Sequence, residues 1–355
     1  MTMEPFDQTK AAAFQTRMVD ILNSSFLALA MSVGHHLGLF DMMAGRDWAT
    51  SAETAEAARL QERYVREWLA AMVVGRIVEY NGAGKYRLPP EHSAAISREA
   101  GLANMANRIC FVGYLGQVVD EVVTAFREGG GVPYSRYPRF LDQIARNGVA
   151  GLDANLLGVM LPLVENLQPR LRSGIDVLDV GCGHGHAINL MAGVYPASRF
   201  LGVDVAVQSI ERAQAEAASL GLQNARFELR DAAALGEHET FDFITTFDAI
   251  HDQVDPAAVL RGIYAALRPG GTYLCVDIGG SGDLLTDMQH PLGPYLYTAS
   301  LMHCMTVSLA DGGAGLGTMW GEPLARRMFR DAGFDKVEVK RVADDPTDFY
   351  YILRK

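Results

Sequence analysis

The sequence predicts an α/β protein, with a mostly parallel sheet wound with helices over its second half and a mainly helical domain in front. Three observations predict it. The strand-like run Val177-Leu178-Asp179-Val180 ends in Gly181-Cys182-Gly183-His184-Gly185 and passes into helical sequence at 188–192. Short apolar strands then alternate with helical stretches, the pattern of parallel strands joined by crossovers. Ahead of them, three helical stretches precede two short strands around a glycine turn.

Residues 11–33 are rich in Ala, Leu, Met and Phe with few breakers. A helix apolar nearly all round is expected to be buried, against another subunit as much as its own domain. A short second helix ends at Leu37-Gly38-Leu39-Phe40-Asp41, a cap-like Ser51 opens the next, and residues 61–74 form a longer one. Residues 75–80 and 81–88 read as the hairpin. Three helices and a hairpin make a winged helix, whose commonest use is DNA binding. Here the recognition-helix position sets Glu62 and Glu67 beside Arg63 and Arg66 and then turns apolar at Trp68-Leu69-Ala70-Ala71-Met72. That is no phosphate-binding surface, and the net charge of −11 opposes a nucleic-acid or anionic-membrane partner.

The glycine turn differs from a dinucleotide fingerprint, whose sixth position is a glycine beside pyrophosphate. Here that position is His186, and Asp179 sets a carboxylate two residues before the first glycine. A carboxylate is a poor neighbour for pyrophosphate and a good one for ammonium and sulfonium charge. The turn therefore reads as a site for a phosphate-free cation, S-adenosylmethionine. Arg199-Phe200-Leu201-Gly202-Val203-Asp204 is a buried strand ending in an acid placed to take a ribose hydroxyl pair. A helix over 209–221 and a third strand from Ala225 to the acid Asp231 follow. A fourth strand spans 241–248, and Leu267-Arg268-Pro269-Gly270-Gly271 closes a helix before a fifth strand at 272–278. Val337-Glu338-Val339 and residues 348–353 suit a closing antiparallel hairpin.

These motifs, in order, resemble the class I SAM-dependent methyltransferases, over about the last half of the chain. The resemblance implies a Rossmann-like sheet in which Gly181, Gly183 and Gly185 cradle the methionine moiety with Asp179 nearby. It further implies that Asp204 holds the ribose and Asp231 with Ala232 contacts the adenine; Phe247, at the fourth strand's end, joins this set. The front half looks like the plant-type small-molecule O-methyltransferases and their bacterial relatives. That likeness implies a winged-helix dimerisation domain at 1–101, connecting helices at 102–170 that roof the active site, and a methyltransferase domain at 171–355. It also implies a homodimer formed through the front domain. Tyr114, Tyr134, Tyr137 and Phe140 would line an apolar pocket under the roof, or serve as ordinary core.

A hydroxyl acceptor must lose a proton as it is methylated, and the base should project from the end of the fourth or fifth strand. His251 stands there, and an imidazole suits proton removal near neutral pH. The plant-type family carries a catalytic His-Asp at this point, usually followed by Trp; here the run is Ile250-His251-Asp252-Gln253, so the pair matches and the aromatic does not. The other reading of His251 is a loop-packing or capping histidine. Asp248 and Asp252 are acceptor-orienting candidates. In the metal-dependent catechol type Asp248 would be a ligand, with Asp277 near by, but spacing does not show them converging, and no metal is expected. Tyr297, His303 and Cys304 fall in one helical stretch, 296–306, that can face the acceptor. The glycine-rich segment 310–321 reads as a lid or a long connection.

Hydrophobic residues make up 49% and charged residues 21%, ordinary for a globular protein. No apolar run suggests a membrane span, and residues 1–10 are polar without a signal pattern. The cysteines Cys110, Cys182, Cys275 and Cys304 have no zinc-like spacing and read as reduced cytoplasmic thiols. The expected function is methyl transfer to a small organic acceptor, at oxygen. Transfer to nitrogen, carbon or sulfur, and a winged-helix regulator sensing SAM or a metabolite, are the alternatives.

Overall fold

In the computed structural model, residues 6–343 and 345–355 are described, so half of the 1–10 stretch read for a signal lies outside them. The chain divides into two units between Gln117 and Val118.

In the first unit a small antiparallel sheet has the order β1-β3-β2, formed by β1 (Ala49–Thr50), β2 (Glu79–Tyr80) and β3 (Lys85–Arg87). Thr50, not Ser51, caps the helix Ser51–Ala58: its hydroxyl accepts from the Glu53 N–H while Glu53 accepts from the Thr50 N–H, a reciprocal capping box. The helix Glu62–Val74 buries Val65, Trp68, Leu69 and Met72, one stripe at helical spacing. Gly34 lets the first helix reach Trp68, since a Cβ there would lie 2.5 Å from the indole ring. Arg63 and Arg66 are paired to Glu67 and Glu62 along their own helix.

The first helix is Gln8–His36. Within the chain only Met31 and Gly34 are buried, while Phe14, Leu22 and Phe26 are 60%, 56% and 68% exposed. It packs on the helices Met105–Leu115 and Glu62–Val74. A correction concerns membrane spans: the helical run Met105–Glu128 has the length and composition of one, although a 3₁₀ turn interrupts it at Gly116–Val118.

The second unit is built on seven strands: β4 (Asp176–Val180), β5 (Arg199–Asp204), β6 (Ala225–Leu229), β7 (Phe241–Phe247), β8 (Leu267–Ile278), β9 (Lys336–Val342) and β10 (Asp345–Arg354). Their order is β6-β5-β4-β7-β8-β10-β9, parallel through β8, with β10 antiparallel to both β8 and β9. The Leu267-Arg268-Pro269-Gly270-Gly271 run begins β8 rather than closing the preceding helix, and the pairing slips between Phe241 and Phe243 to absorb it. One face of the sheet packs Val177, Phe200, Phe243 and Leu274 against the helix His186–Val194. The other packs Leu178, Ile244 and Tyr273 against the helices Pro256–Ala266 and Gly321–Ala332. Strand order reverses between β4 and β7, which opens a crevice at the strands' carboxyl ends.

Candidate active site

Backbone geometry makes the first half of the site. Gly181, Gly183 and Gly185 have φ of 72°, 51° and 72°, left-handed values that glycine adopts without strain. Gly185 is also packed: a Cβ there would lie 2.4 Å from the Phe227 ring and 2.5 Å from Ala213. Gly183 meets nothing within 4 Å, so the turn is closed beneath and open above. Its N–H donates to Asp204 Oδ2 at 2.9 Å, while Asp204 Oδ1 accepts from Ala206. Asp204 thus ties the end of β5 to the turn, and each of its oxygens has a lone pair left for a ribose hydroxyl.

Asp179 is buried beneath the turn and accepts from the Thr245 hydroxyl at 2.7 Å. Burial, against the Thr245 bond and with the charge of Asp204, pushes its carboxyl up to about 7. A bound cation would favour the ionised form of such a group. Asp231 is exposed and caps the 3₁₀ turn Ala232–Ala234 through the Ala233 N–H, with Ala232 buried below it. Phe247 ends β7 half-buried.

Side chains from distant segments make the second half. After β7 the chain turns at Asp248, whose φ of 48° is a left-handed strain that a non-glycine residue keeps only where its surroundings hold it. The following loop carries His251, 2% exposed, whose Nδ1 lies 2.6 Å from Asp277 Oδ1 at the end of β8. On its other side Nε2 is 3.2 Å from Asp252 Oδ1. Burial opposes a charge on the ring, but Asp277 and Asp252 outweigh it and raise its pKa well above the usual histidine value. Burial would raise Asp252, yet the His251 charge prevails and holds its carboxyl down to about 2. Tyr134, on the 3₁₀ turn before the helix Pro138–Asn155, donates to Asp252 Oδ2 at 3.0 Å. Asp248 is reached by solvent but lies deep in the cleft, and the surrounding protein and Asp277 push it up to about 7.

The stretch 296–306 is not one helix: Gly293–Ala299 and Met305–Ala310 are joined by a π-turn, Ser300–Cys304. The π-turn places His303 inside a box of Tyr134, Tyr137 and Phe140, with ring centroids 5.5, 4.8 and 4.7 Å away. His303 is 2% exposed, and burial pushes its pKa down to about 4, so it is neutral. Cys304 Sγ lies 3.5 Å from His303 Nδ1.

Of the sequence candidates, His251, Asp252, Tyr134 and His303 come together with Tyr137 and Phe140. Tyr297 is engaged elsewhere, donating to Asp287 at 2.9 Å. Tyr114 belongs to the first unit, where its hydroxyl bonds His36 Nε2 at 2.9 Å. Two residues that hold His251, one directly and one through the other, were not read from sequence. Asp277 was noticed only as a possible metal ligand, although an acid ending an otherwise apolar strand was a usable signal. Trp320 donates to Asp277 Oδ1 at 3.4 Å and had no signal at all. It arrives on the glycine-rich segment, whose end is packed: Thr318 and Trp320 are buried, and Ala314 donates to the Val254 carbonyl.

The two halves adjoin, since a Cβ at Gly181 would come within 2.9 Å of Ala249, two residues from His251. Residues 171–306 match a methyltransferase-domain family, and residues 25–98 match the Rv2258c-like winged HTH domain. The demethylmenaquinone methyltransferase of Lactococcus lactis is 30% identical over 107 residues, which are 30% of this chain and 42% of that enzyme. The chain thus spans less than half the length of this curated relative. Human N-acetylserotonin methyltransferase, solved with SAM, superposes with a TM-score of 0.64 at 17% identity, covering 100% of this chain and 99% of that one. An O-methyltransferase from neocarzinostatin biosynthesis, solved with SAM and 2-hydroxy-5-methyl naphthoic acid, gives 0.63 at 16%, covering 92% and 96%. Fold and domain matches agree: a winged-helix domain precedes a domain with the class I methyltransferase fold.

Proposed function

We propose that this protein transfers a methyl group from S-adenosylmethionine to the oxygen of a small organic acceptor, with His251 as general base. The observation that carries the reading is the open glycine turn, set between the carboxylates of Asp179 and Asp204 and lying against the loop of His251. When bound, the cosubstrate supplies a methyl group on a sulfonium. The residues around it fit: Gly183 leaves room for it, Asp204 takes the ribose, and Asp179 balances its positive charge. Asp231 and Ala232 flank the adenine. Asp277 holds Nδ1–H of His251, and once the proton that the two carboxylates favour on the ring has left Nε2, that atom takes the acceptor's proton. In the resting arrangement Asp252 faces Nε2. An entering acceptor displaces that contact, and Asp252 stays tied to Tyr134. His303 and the rings of Tyr134, Tyr137 and Phe140 supply an apolar wall with one polar atom.

The same reading makes the protein a cytoplasmic homodimer. Its support is the row Phe14, Leu22 and Phe26, which one copy of the chain leaves exposed, and four cysteines with no disulfide among them. Calorimetric titration with SAM, followed by a labelled-methyl screen of phenols, amines and thiols, tests the function. Binding followed by methylation of a phenol is expected. No binding by the intact protein overturns the cosubstrate, and product only at nitrogen or sulfur overturns the oxygen assignment. Light scattering tests the assembly: Leu22→Glu with Phe26→Glu should convert a dimer to a monomer.

A further inference from the structure

We propose that His251, Asp252 and Cys304 form a binding site for a divalent transition metal of the zinc type. One donor atom from each lies within 4.8 Å of the others. For bonds of 2.0 to 2.3 Å in a tetrahedron, ligand atoms stand about 3.3 to 3.6 Å apart. His251 Nε2 and Asp252 Oδ1 are already 3.2 Å apart, so a small shift of Cys304 completes the triangle.

The way each side chain divides its atoms carries the argument. On His251, Nδ1 is engaged by Asp277 at 2.6 Å, which leaves Nε2 as the inward atom. On Asp252, Oδ2 is engaged by Tyr134 at 3.0 Å, and Oδ1 is buried without a hydrogen bond, facing His251 Nε2 at 3.2 Å. Outer partners on the far atoms, with the near ones turned toward one another across the site, are what metal sites show: a carboxylate–histidine–metal chain, and a ligating carboxylate that is itself hydrogen-bonded. Trp320 extends this outer layer by reaching Asp277. A second orphan sits in the same cluster, His303 Nε2, which has no partner and is buried beside Cys304. The π-turn that presents His303 and Cys304 is a helix irregularity frequent at functional sites.

The donor set identifies the ion class. A nitrogen, an oxygen and a sulfur suit zinc or cobalt and do not suit magnesium or calcium, which take oxygen shells. Three protein ligands leave a fourth position open, as catalytic zinc sites do and structural ones do not. That position suits an anionic oxygen or sulfur, with His303 Nε2 as its hydrogen-bond partner. Loading releases the thiol proton and the proton on Nε2 of His251, and it turns this histidine from base to ligand. The inference goes beyond the methyl-transfer reading and does not rest on it.

The test uses the full-length protein, stripped with a chelator and titrated with cobalt(II). One equivalent should give the visible bands of a tetrahedral ion and a thiolate-to-cobalt charge-transfer band, both abolished by zinc. Cys304→Ser should lose the charge-transfer band, and Cys110→Ser should keep it. Asp277→Asn and Tyr134→Phe should weaken binding about 10- to 100-fold by loosening the ligands they hold. Absence of tetrahedral bands in wild-type protein, or a charge-transfer band that survives Cys304→Ser, overturns the site. Zinc-edge absorption on the wild type decides the matter if Cys304→Ser does not fold. One sulfur among nitrogen and oxygen ligands supports the site, and a shell without sulfur overturns it.

Discussion

The glycine turn and the side-chain chamber around His251 lie side by side at the carboxyl ends of the parallel strands, yet they are made differently. The turn between β4 and the helix His186–Val194 is five residues of local chain, and its shape is backbone: three left-handed glycines, one N–H held by Asp204. The chamber is made of side chains from five separated segments, bringing Tyr134, His251, Asp277, Cys304 and Trp320 into contact. A ligand common to many methyltransferases can be held by backbone, which every sequence has. An acceptor particular to one enzyme must be recognised by side chains, which the rest of the fold must deliver.

The largest expected effect lies in the chamber. His251→Ala or Asp277→Asn should lower kcat by about 10³- to 10⁴-fold, the scale of losing a base or its orienting carboxylate. SAM affinity measured by calorimetry should stay as it was. A matching loss of SAM binding would erase the distinction between the two regions.

Next comes the turn itself. Gly185→Ala forces a Cβ into the Phe227 ring at a left-handed φ, and should destabilise the protein by about 2 to 4 kcal/mol in a denaturant melt. Gly183→Ala has open space above it and should cost only about 1 kcal/mol of backbone strain while weakening SAM binding. Equal melts for the two variants would mean that the turn is not closed on one side and open on the other.

A smaller effect is electrostatic. Asp179 has a folded pKa of about 7 against an ordinary 3.8, so below 7 the ligand-free protein holds it protonated. This raised value means that the residue's contribution to stability falls as pH rises from 3.8 toward 7. A cation favours the ionised form, so SAM affinity should rise with pH across that window, at most about tenfold per pH unit, and level off above it. Asp179→Asn should flatten the profile; an unchanged slope would remove Asp179 from the cosubstrate site. Smallest of all, Tyr134→Phe removes one hydrogen bond to Asp252 and should change kcat by about tenfold or less, without moving the SAM titration.

Legibility followed the same division. The strands β4 to β7, the glycine turn and Asp204 were readable because each is a local pattern with one structural solution: an apolar run, a forced positive φ, an acid at a strand end. His251 was readable through its place after β7. Its partners were not, because a hydrogen bond between residues 251 and 277, or between 134 and 252, leaves no mark on spacing.

By itself, the sequence determined the element order, the wound parallel sheet, the winged helix and the position of the glycine turn. These follow from local conformational preference and from apolar periodicity, which act within about a dozen residues. Only the tertiary structure decided that Asp277 and Asp252 grip His251 from both sides, that a π-turn brings Cys304 to them, and that Tyr297 does not join. Those outcomes depend on strand register, on the bend of one helix and on where a glycine-rich segment packs. They are set by the balance of contacts across the whole unit rather than by any stretch of chain.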